Sequence, residues 1–513
     1  MEKTIVHLTS EIAPFYKRGG LGDVAGSLPV YLTKKYRNVV ISFYYKGRMK
    51  GLEDVPKRSF IVDIHGIDYR FYYYPLVRDN VQYFFIDMDD ENLFSESEGG
   101  SLEKKKKTKR GNSKGDTAYR GLLPIMIHFY FAKAALNFIL KKEMEPSFLL
   151  LHDWQVAGVF AYQSLLRHMR EQFNCKTLMM IHNFQYQGEI IKDSLSFLDA
   201  ESRETVRSLY DKYESASLMG LAFDRSDYVA TVSNGYAKEL EKQSAPHIGY
   251  DFVAQRTDGI LHFTNGVDYS LWHPKNSPFL PIHYDIDQQA VRKRYKAQLQ
   301  RKCGFEDDGK PIALMMARLV PQKGIYLFMN TEQTDERALA QIEKVLDTGV
   351  KLIVHGTPAG GEDGRVNYLF ELARKTFPDR FYYDNKYSDA KGHVYLAGSD
   401  MALMPSFFEP CGLVQLYAMA FGSVPIVNPV GGLGDTVDCF FKEENKPTGF
   451  HMESYSTTGL VEALQRAADI YHNDKNAWQE LINNGMNADF SWDRMIQPYF
   501  EFFAKSMQLE YST

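Results

Sequence analysis

Residues 4–32 read TIVHLTSEIAPFYKRGGLGDVAGSLPVYL. The stretch opens on a strand run, Thr4–Leu8, and passes through the glycine-rich loop Lys17-Arg18-Gly19-Gly20-Leu21-Gly22-Asp23. It then continues into an apolar helical run, Val24–Leu32. A strand that hands over to a helix through glycines is the opening unit of a parallel α/β sheet. Working outward, strand runs recur at Val39–Tyr44, Ser147–Leu151, Thr177–Ile181 and Tyr228–Val232, with room for crossover helices between them. The pattern predicts a parallel sheet covered on both faces.

The second half repeats the style, with strand runs at Ile312–Met316, Lys351–His355, Met401–Met404 and Val424–Val427. The pentapeptide GGLGD occurs at Gly19–Asp23 and again at Gly431–Asp435, each time between a strand region and a helical run. Two such loops suggest two doubly wound domains. A boundary is expected between Trp272 and Lys310, where Pro274, Pro278 and Pro281 precede a basic helix, Val291–Cys303. The expected division is 1–272, 273–488 and a terminal segment, 489–513. Ser95–Asp116, with the basic run Lys104–Arg110, reads as a solvated loop, or as an arm that touches a polymer or partner.

A chain of 513 residues exceeds one ordinary core. Its apolar share of 44 % and charged share of 24 % exclude disorder on a chain-wide scale. The formal charge of −5 provides no global field for nucleic acid or anionic lipid. Cys175, Cys303, Cys411 and Cys439 lie far apart without CxxC spacing, which argues against zinc and for free thiols in a reducing, cytoplasmic setting. The start, MEKTIVHLTSEIAPF, does not read as a signal peptide. Gly121–Leu140 has about the length of a bilayer span. It carries Pro124, His128, Lys133 and Asn137, so a buried helix in a soluble protein is expected instead.

The loops hold the chemistry. Glycines admit a ligand close to the backbone, a helix N-terminus offers N–H groups to an anion, and Lys17 adds a charge suited to phosphate. A dinucleotide reading also needs an acid at the end of the second strand, and Tyr44-Tyr45-Lys46 stands there. Arg318 and Lys323, in ARLVPQKG, follow the first strand of the second half, where open sheets bind ligands, and are suited to a diphosphate. Glu409, in FEPCG, is held by Pro410 and Gly412; the bland alternative is a cap for the helix Leu413–Phe421. His152-Asp153 and His182-Asn183 directly follow apolar strands, as cleft-lining residues do. No HExxH or His–Cys cluster is present, so no catalytic metal and no cofactor are expected.

Nine motifs in sequence resemble the bacterial glycogen synthases and plant starch synthases of the ADP-glucose type: KRGGLGDV (17–24), HDW (152–154), IHNFQYQG (181–188), TVSNGYAKEL (231–240), NGVDYSLWHP (265–274), ARLVPQKG (317–324), PSFFEPCGLVQLYAM (405–419), GGLGDTV (431–437) and FSWDR (490–494). The resemblance spans nearly the whole chain. It implies two Rossmann-like domains in the GT-B architecture facing a cleft, and a last helix that crosses back to the first domain. By motif match, Lys17, Gly19 and Gly20 resemble the loop near the donor phosphates or acceptor cleft. Asp23, Asn183 and Asp153 resemble residues of the acceptor or sugar side, Asp153 also among the catalytic ones. Arg318 and Lys323 resemble the pair that neutralises the leaving diphosphate. Glu409 resembles the glutamate that reads donor glucose hydroxyls, with Cys411, Gly412 and Leu413 in the same donor loop. His182 resembles the histidine near the reacting carbon, and Tyr387 an aromatic that stacks on the base.

The implied activity is retaining transfer of glucose from ADP-glucose, a co-substrate, to an α-1,4-glucan such as glycogen or maltodextrin. Nucleic acid and membrane are not implied as partners, and oligomeric state is left open. Phe407, Asn428, Arg18, Gln155, Tyr326 and Asn234-Gly235 depart from the usual motif residues. Two alternatives stand beside this reading. One is a transferase of the same build using UDP-glucose or a small-sugar acceptor; the other is a non-catalytic glucan-binding scaffold.

Overall fold

The computed structural model describes residues 2–64, 66–87, 125–242, 250–359, 363–441 and 446–508. The basic run at 104–110, and all of 95–116 around it, lie outside these. The chain divides into two units. The first takes the described residues up to Val232, then Ala237–Thr264 and the end from Met495; the second takes Ser233–Tyr236 and Asn265–Arg494.

In the first unit, β1 (Thr4–Thr9), β2 (Arg37–Phe43), β3 (Arg58–Ile64), β4 (Ile67–Arg78), β5 (Val81–Asp87), β6 (Pro146–His152), β7 (Lys176–Ile181), β8 (Tyr228–Thr231) and β9 (Leu261–His262) form one sheet. Its order is β3-β4-β5-β2-β1-β6-β7-β8-β9. Every residue of β1 is buried, as expected of a parallel strand covered on both faces. It pairs in parallel with β2 on one side and β6 on the other, so the strand order reverses between β1 and β6.

Sequence reasoning did not find the antiparallel edge β3-β4-β5. Its signal was present: alternating aromatic residues around Asp79-Asn80, whose φ values of 50° and 61° make the left-handed hairpin turn. This edge covers the helix Ile125–Lys141, where Phe138 packs against Phe60, Tyr73 and Phe84 at 5.0, 4.8 and 5.1 Å between ring centroids. The helix's polar residues have protein partners. Lys133 pairs with Asp199 at 2.9 Å, and His128 Nδ1 meets Gln155 O at 2.9 Å. Among the described residues no helix is long and apolar enough to cross a membrane. The terminal helix Gln497–Gln508 belongs to this unit: Phe503 packs on Phe148 (4.9 Å) and Tyr36 (5.7 Å), and Tyr499 stacks on Phe263 (4.2 Å).

The second unit holds β10 (Ile312–Met316), β11 (Lys351–His355), β12 (Phe381–Asp384), β13 (Met401–Met404), β14 (Val424–Val427) and β15 (Phe450–His451). The order is β12-β11-β10-β13-β14-β15, all parallel, reversing between β10 and β13. Counted within the unit this is 3-2-1-4-5-6, the Rossmann order. The expected boundary after Trp272 moves to Thr264/Asn265. Trp272 is stacked at 4.0 Å on both His393 and Tyr417, and Leu280 and Tyr284 of the proline stretch are buried in this unit's core. At the far end the second unit keeps residues through Arg494, because Val267 N donates to Phe490 O at 2.7 Å. A Cβ on Gly266 would also sit 2.6 Å from Trp492.

Candidate functional site

In a doubly wound sheet the loops leaving the two strands at the reversal diverge and open a crevice at their carboxyl ends. Apart from Tyr387, which follows the edge strand β12, the predicted site residues of each unit follow strands at or beside that point. In the first unit, the glycine loop leaves β1 and His152-Asp153 ends β6; His182-Asn183 follows the neighbouring β7.

The glycine loop differs from expectation. Two of its N–H groups are already taken: Glu11 Oε2 accepts from Arg18 N at 2.6 Å and from Gly19 N at 3.0 Å. The side chain of Lys17 donates to Asp23 Oδ1 at 2.9 Å, and both side chains are part-exposed. The loop is therefore tied down by a carboxylate that sequence reasoning missed. The helix Gly20–Leu32 starts behind Gly19 without a side-chain cap. Gly22 is required by packing, since a Cβ there would lie 2.4 Å from Lys17 Cβ.

Asp153 has φ 61° and ψ 175°, a region ordinarily left to glycine and costing a side-chain residue about 1–3 kcal/mol. Its carboxylate holds that geometry: Oδ1 accepts from His182 N at 2.6 Å and from Asn183 N at 3.2 Å. Burial raises its pKa to about 7, with the charge of Glu11 adding to the rise against the two N–H donors. Asp153 thus fixes the backbone of the next site loop, and Asn183 Oδ1 accepts from Gln185 N at 3.0 Å to close the turn. Trp154 packs over Gly188 so tightly that a Cβ there would meet its ring at 2.3 Å.

His182 ends a buried line of rings. Its Nε2 meets His152 Nδ1 at 3.0 Å, His152 Nε2 meets His7 Nδ1 at 3.3 Å, and His7 Nε2 meets Asn38 Oδ1 at 3.0 Å. Burial lowers all three histidines, His182 to about 3, His7 to about 4 and His152 well below 6.5. They are neutral at pH 7.

In the second unit, the loop after β10 and the loop after β13 are stitched together. Phe407 N donates to Gln322 O at 2.8 Å, and Gln322 Nε2 donates to Phe408 O at 3.2 Å. A Cβ on Gly324 would strike Pro405 O at 2.1 Å, and its φ of 77° also favours glycine. Across this seam Lys323 Nζ forms an ion pair with Glu409 Oε2, which also accepts from Ser406 Oγ at 3.0 Å. Glu409 is 5 % exposed. It does not cap the following helix: Val414–Phe421 has Leu413 at its N-cap position and no side-chain cap. Arg318 is exposed and makes no ion pair or side-chain hydrogen bond with a described residue.

The second GGLGD loop wraps the same turn. Gly432 N donates to Glu409 O at 3.0 Å, and Cβ atoms on Gly431 and Gly432 would strike Glu409 O and Cys411 O at 2.1 and 2.3 Å. Gly412 turns the chain at φ 72°, and Gln415 Nε2 holds Cys411 O and Gly412 O at 3.1 Å each. Burial pushes the Cys411 thiol up to about 12, so it packs rather than reacts. Asn428, one of the departures, donates to Ser406 O at 2.8 Å; Phe407, another, packs on Tyr455 at 4.8 Å. Tyr387 is 45 % exposed, stacked at 5.3 Å on His355, and donates to Asp389 at 3.0 Å.

Two Rossmann-like sheets, each carrying charged and polar side chains on loops at its reversal, have the build of a GT-B glycosyltransferase. Residues 4–256 match the starch synthase catalytic domain, and residues 297–486 match glycosyl transferases group 1. A glycogen synthase of Lactococcus lactis is 31 % identical over 97 % of this chain and 99 % of its own length. One from Kosmotoga olearia is 30 % identical over 97 % of each. Among solved structures, the catalytic domain of starch synthase IV from Arabidopsis thaliana, bound to ADP and acarbose, superposes with a TM-score of 0.83. It is 25 % identical and covers 99 % of both chains. With this likeness over nearly its whole length, the chain belongs to the glycogen synthase family.

Proposed function

We propose that this glycosyltransferase moves glucose from ADP-glucose to the non-reducing end of an α-1,4-glucan, with retention and without a metal. The observation that carries the reading is the seam between the loops after β10 and β13. It buries Glu409 against Lys323 and leaves Arg318 open to a ligand. In this reading the Glu409 carboxylate accepts from donor glucose hydroxyls, while Arg318 and Lys323 stabilise charge developing on the departing diphosphate. Lys17 and the glycine loop lie toward the phosphates or acceptor, and Asp23, Asn183 and Asp153 belong to the sugar or acceptor side. His182 faces the reacting sugar, and Tyr387 stacks on the base.

Among the assigned residues no second carboxylate is placed as a covalent nucleophile, which favours a front-face route. The bond from the sugar anomeric carbon to the diphosphate oxygen breaks as the acceptor hydroxyl oxygen bonds to that carbon. The hydroxyl proton passes to the departing phosphate oxygen. Holding the partners in line and stabilising the leaving charge supplies the rate. The ADP choice is supported by the name of the solved starch synthase, a protein bound to ADP and acarbose. Four free thiols are consistent with the cytoplasm.

A matrix of ADP-glucose and UDP-glucose against glycogen and monosaccharides tests the reading. The expected result is transfer to glycogen with a kcat/KM ratio above one for ADP-glucose. A ratio of one or below refutes the donor assignment, and transfer to monosaccharides alone refutes the acceptor assignment. Donor binding without any transfer or hydrolysis identifies a scaffold.

A further inference from the structure

The line of buried rings behind His182 has a direction, and the hydrogen-bond chemistry of its far end sets it. Asn38 Nδ2 lies 2.8 Å from Tyr36 O. A carbonyl only accepts, so the amide nitrogen must face it, and the amide oxygen must face His7. That oxygen also only accepts, so the proton of His7 sits on Nε2. A neutral imidazole has a single N–H, which leaves His7 Nδ1 a bare acceptor and requires His152 Nε2 to donate to it. The same step repeats: His152 Nδ1 accepts, so His182 Nε2 donates. His182 Nδ1 is left as a lone pair, and it makes no hydrogen bond with a described residue. Of the three rings, His7 and His152 are 1 % and 0 % exposed and His182 is 9 % exposed, so only the last reaches outward.

We propose that Asn38, His7 and His152 are positioning residues that act as a tautomer relay. Through them Tyr36 O holds His182 in the Nε2–H form and presents Nδ1 as a pure acceptor, which selects a sugar hydroxyl able to donate to it. The second half of this statement rests on the reading above that His182 faces the donor sugar; the first half does not. Neutrality of the rings follows from their burial, which disfavours a charge anywhere along the line.

Asn38→Leu removes the acceptor at the end of the relay. Left as it was, His7 Nε2–H would be a buried donor without a partner, and orphaned buried N–H groups are rarer in folded proteins than under-satisfied acceptors. The relay then reverses: each ring donates from Nδ1, and His182 offers an N–H where it had offered a lone pair.

Nitrogen NMR of protein labelled in histidine reads this directly, with the rings assigned through single His→Gln variants. In the unaltered protein His182 is expected to show a protonated Nε2 and an unprotonated Nδ1. In Asn38→Leu the pattern is expected to invert or become mixed, with kcat/KM for the nucleotide-sugar lowered about 10-fold, the worth of one hydrogen bond. A protonated Nδ1 in the unaltered protein overturns the relay, and this spectrum decides it even if the variant fails to fold. A folded Asn38→Leu protein with an unchanged His182 pattern overturns it as well. An inverted pattern with unchanged turnover and KM leaves the relay standing and refutes the sugar-facing reading of His182.

Discussion

Replacing Glu409 by glutamine removes one negative charge and keeps the shape of the side chain. In the structure that charge faces Lys323 Nζ and Ser406 Oγ, and the two ionic side chains are 7 % and 18 % exposed. Removing one partner from a fully buried ion pair costs about 3–5 kcal/mol, because the other is left charged and dry. Lys323 retains some access to water, and the glutamine oxygen still accepts a hydrogen bond, so a loss of about 1–3 kcal/mol is expected. This penalty comes from the ion pair across the seam. Loss of a helix cap is not part of it, since the helix Val414–Phe421 is not capped by Glu409. Turnover should fall far more, on the order of 10²–10³, if the carboxylate reads donor hydroxyls in the transition state.

Thermal melts and initial rates of Glu409→Gln, Lys323→Met and the double variant separate the two effects. Non-additive melting shifts are expected, as neighbours in one pair couple by about 0.5–3 kcal/mol. A marked drop in melting temperature with normal kcat in the folded fraction would refute the donor-reading role. Additive shifts would refute the ion pair.

Arg318→Ala should leave the melting temperature unchanged, since the side chain is exposed and unpaired among the described residues, and lower kcat on the order of 10²–10³. Near-normal kcat with only a raised glucan KM would contradict its assignment to the diphosphate. Turnover should survive dialysis and excess EDTA, because protein cations are assigned the task a metal would have; activity that returns only with Mg²⁺ or Mn²⁺ refutes that. Stability should fall as pH drops from 6.5 toward 4. Burial lowers His7 and His128 to about 4 and His182 to about 3, with His152 lowered too, so below pH 6.5 the unfolded chain takes up protons that the native one refuses. Each such histidine removes about 1.4 kcal/mol per pH unit. Asp153, raised to about 7, opposes the trend, because the native state binds its proton first as pH falls. Four histidines outweigh one carboxylate, and a melting temperature that holds or rises between pH 6.5 and 5 would contradict the burial of these rings.

The sequence by itself determined the central strands of both sheets and the loops that leave them, but not β9, β12 or β15. Short continuous apolar runs such as Ile312–Met316, bounded by glycines and prolines where a loop must turn, read as strands buried on both faces. It also carried the edge β3-β4-β5 in the alternation around Asp79-Asn80, a signal that was there to be read. Tertiary structure decided what each polar side chain does. Glu11 takes two of the glycine-loop N–H groups, Lys323 pairs with Glu409 across the seam, and Asp153 clamps the backbone of His182 and Asn183. It also placed His7, on the first strand, against His152, 145 residues later, and made Asn38 the end of their line. Periodicity reports which face of an element is buried, because burial repeats with the backbone's own period. A hydrogen-bond partner is set by the order and register of strands far apart in the chain, and nothing local encodes that.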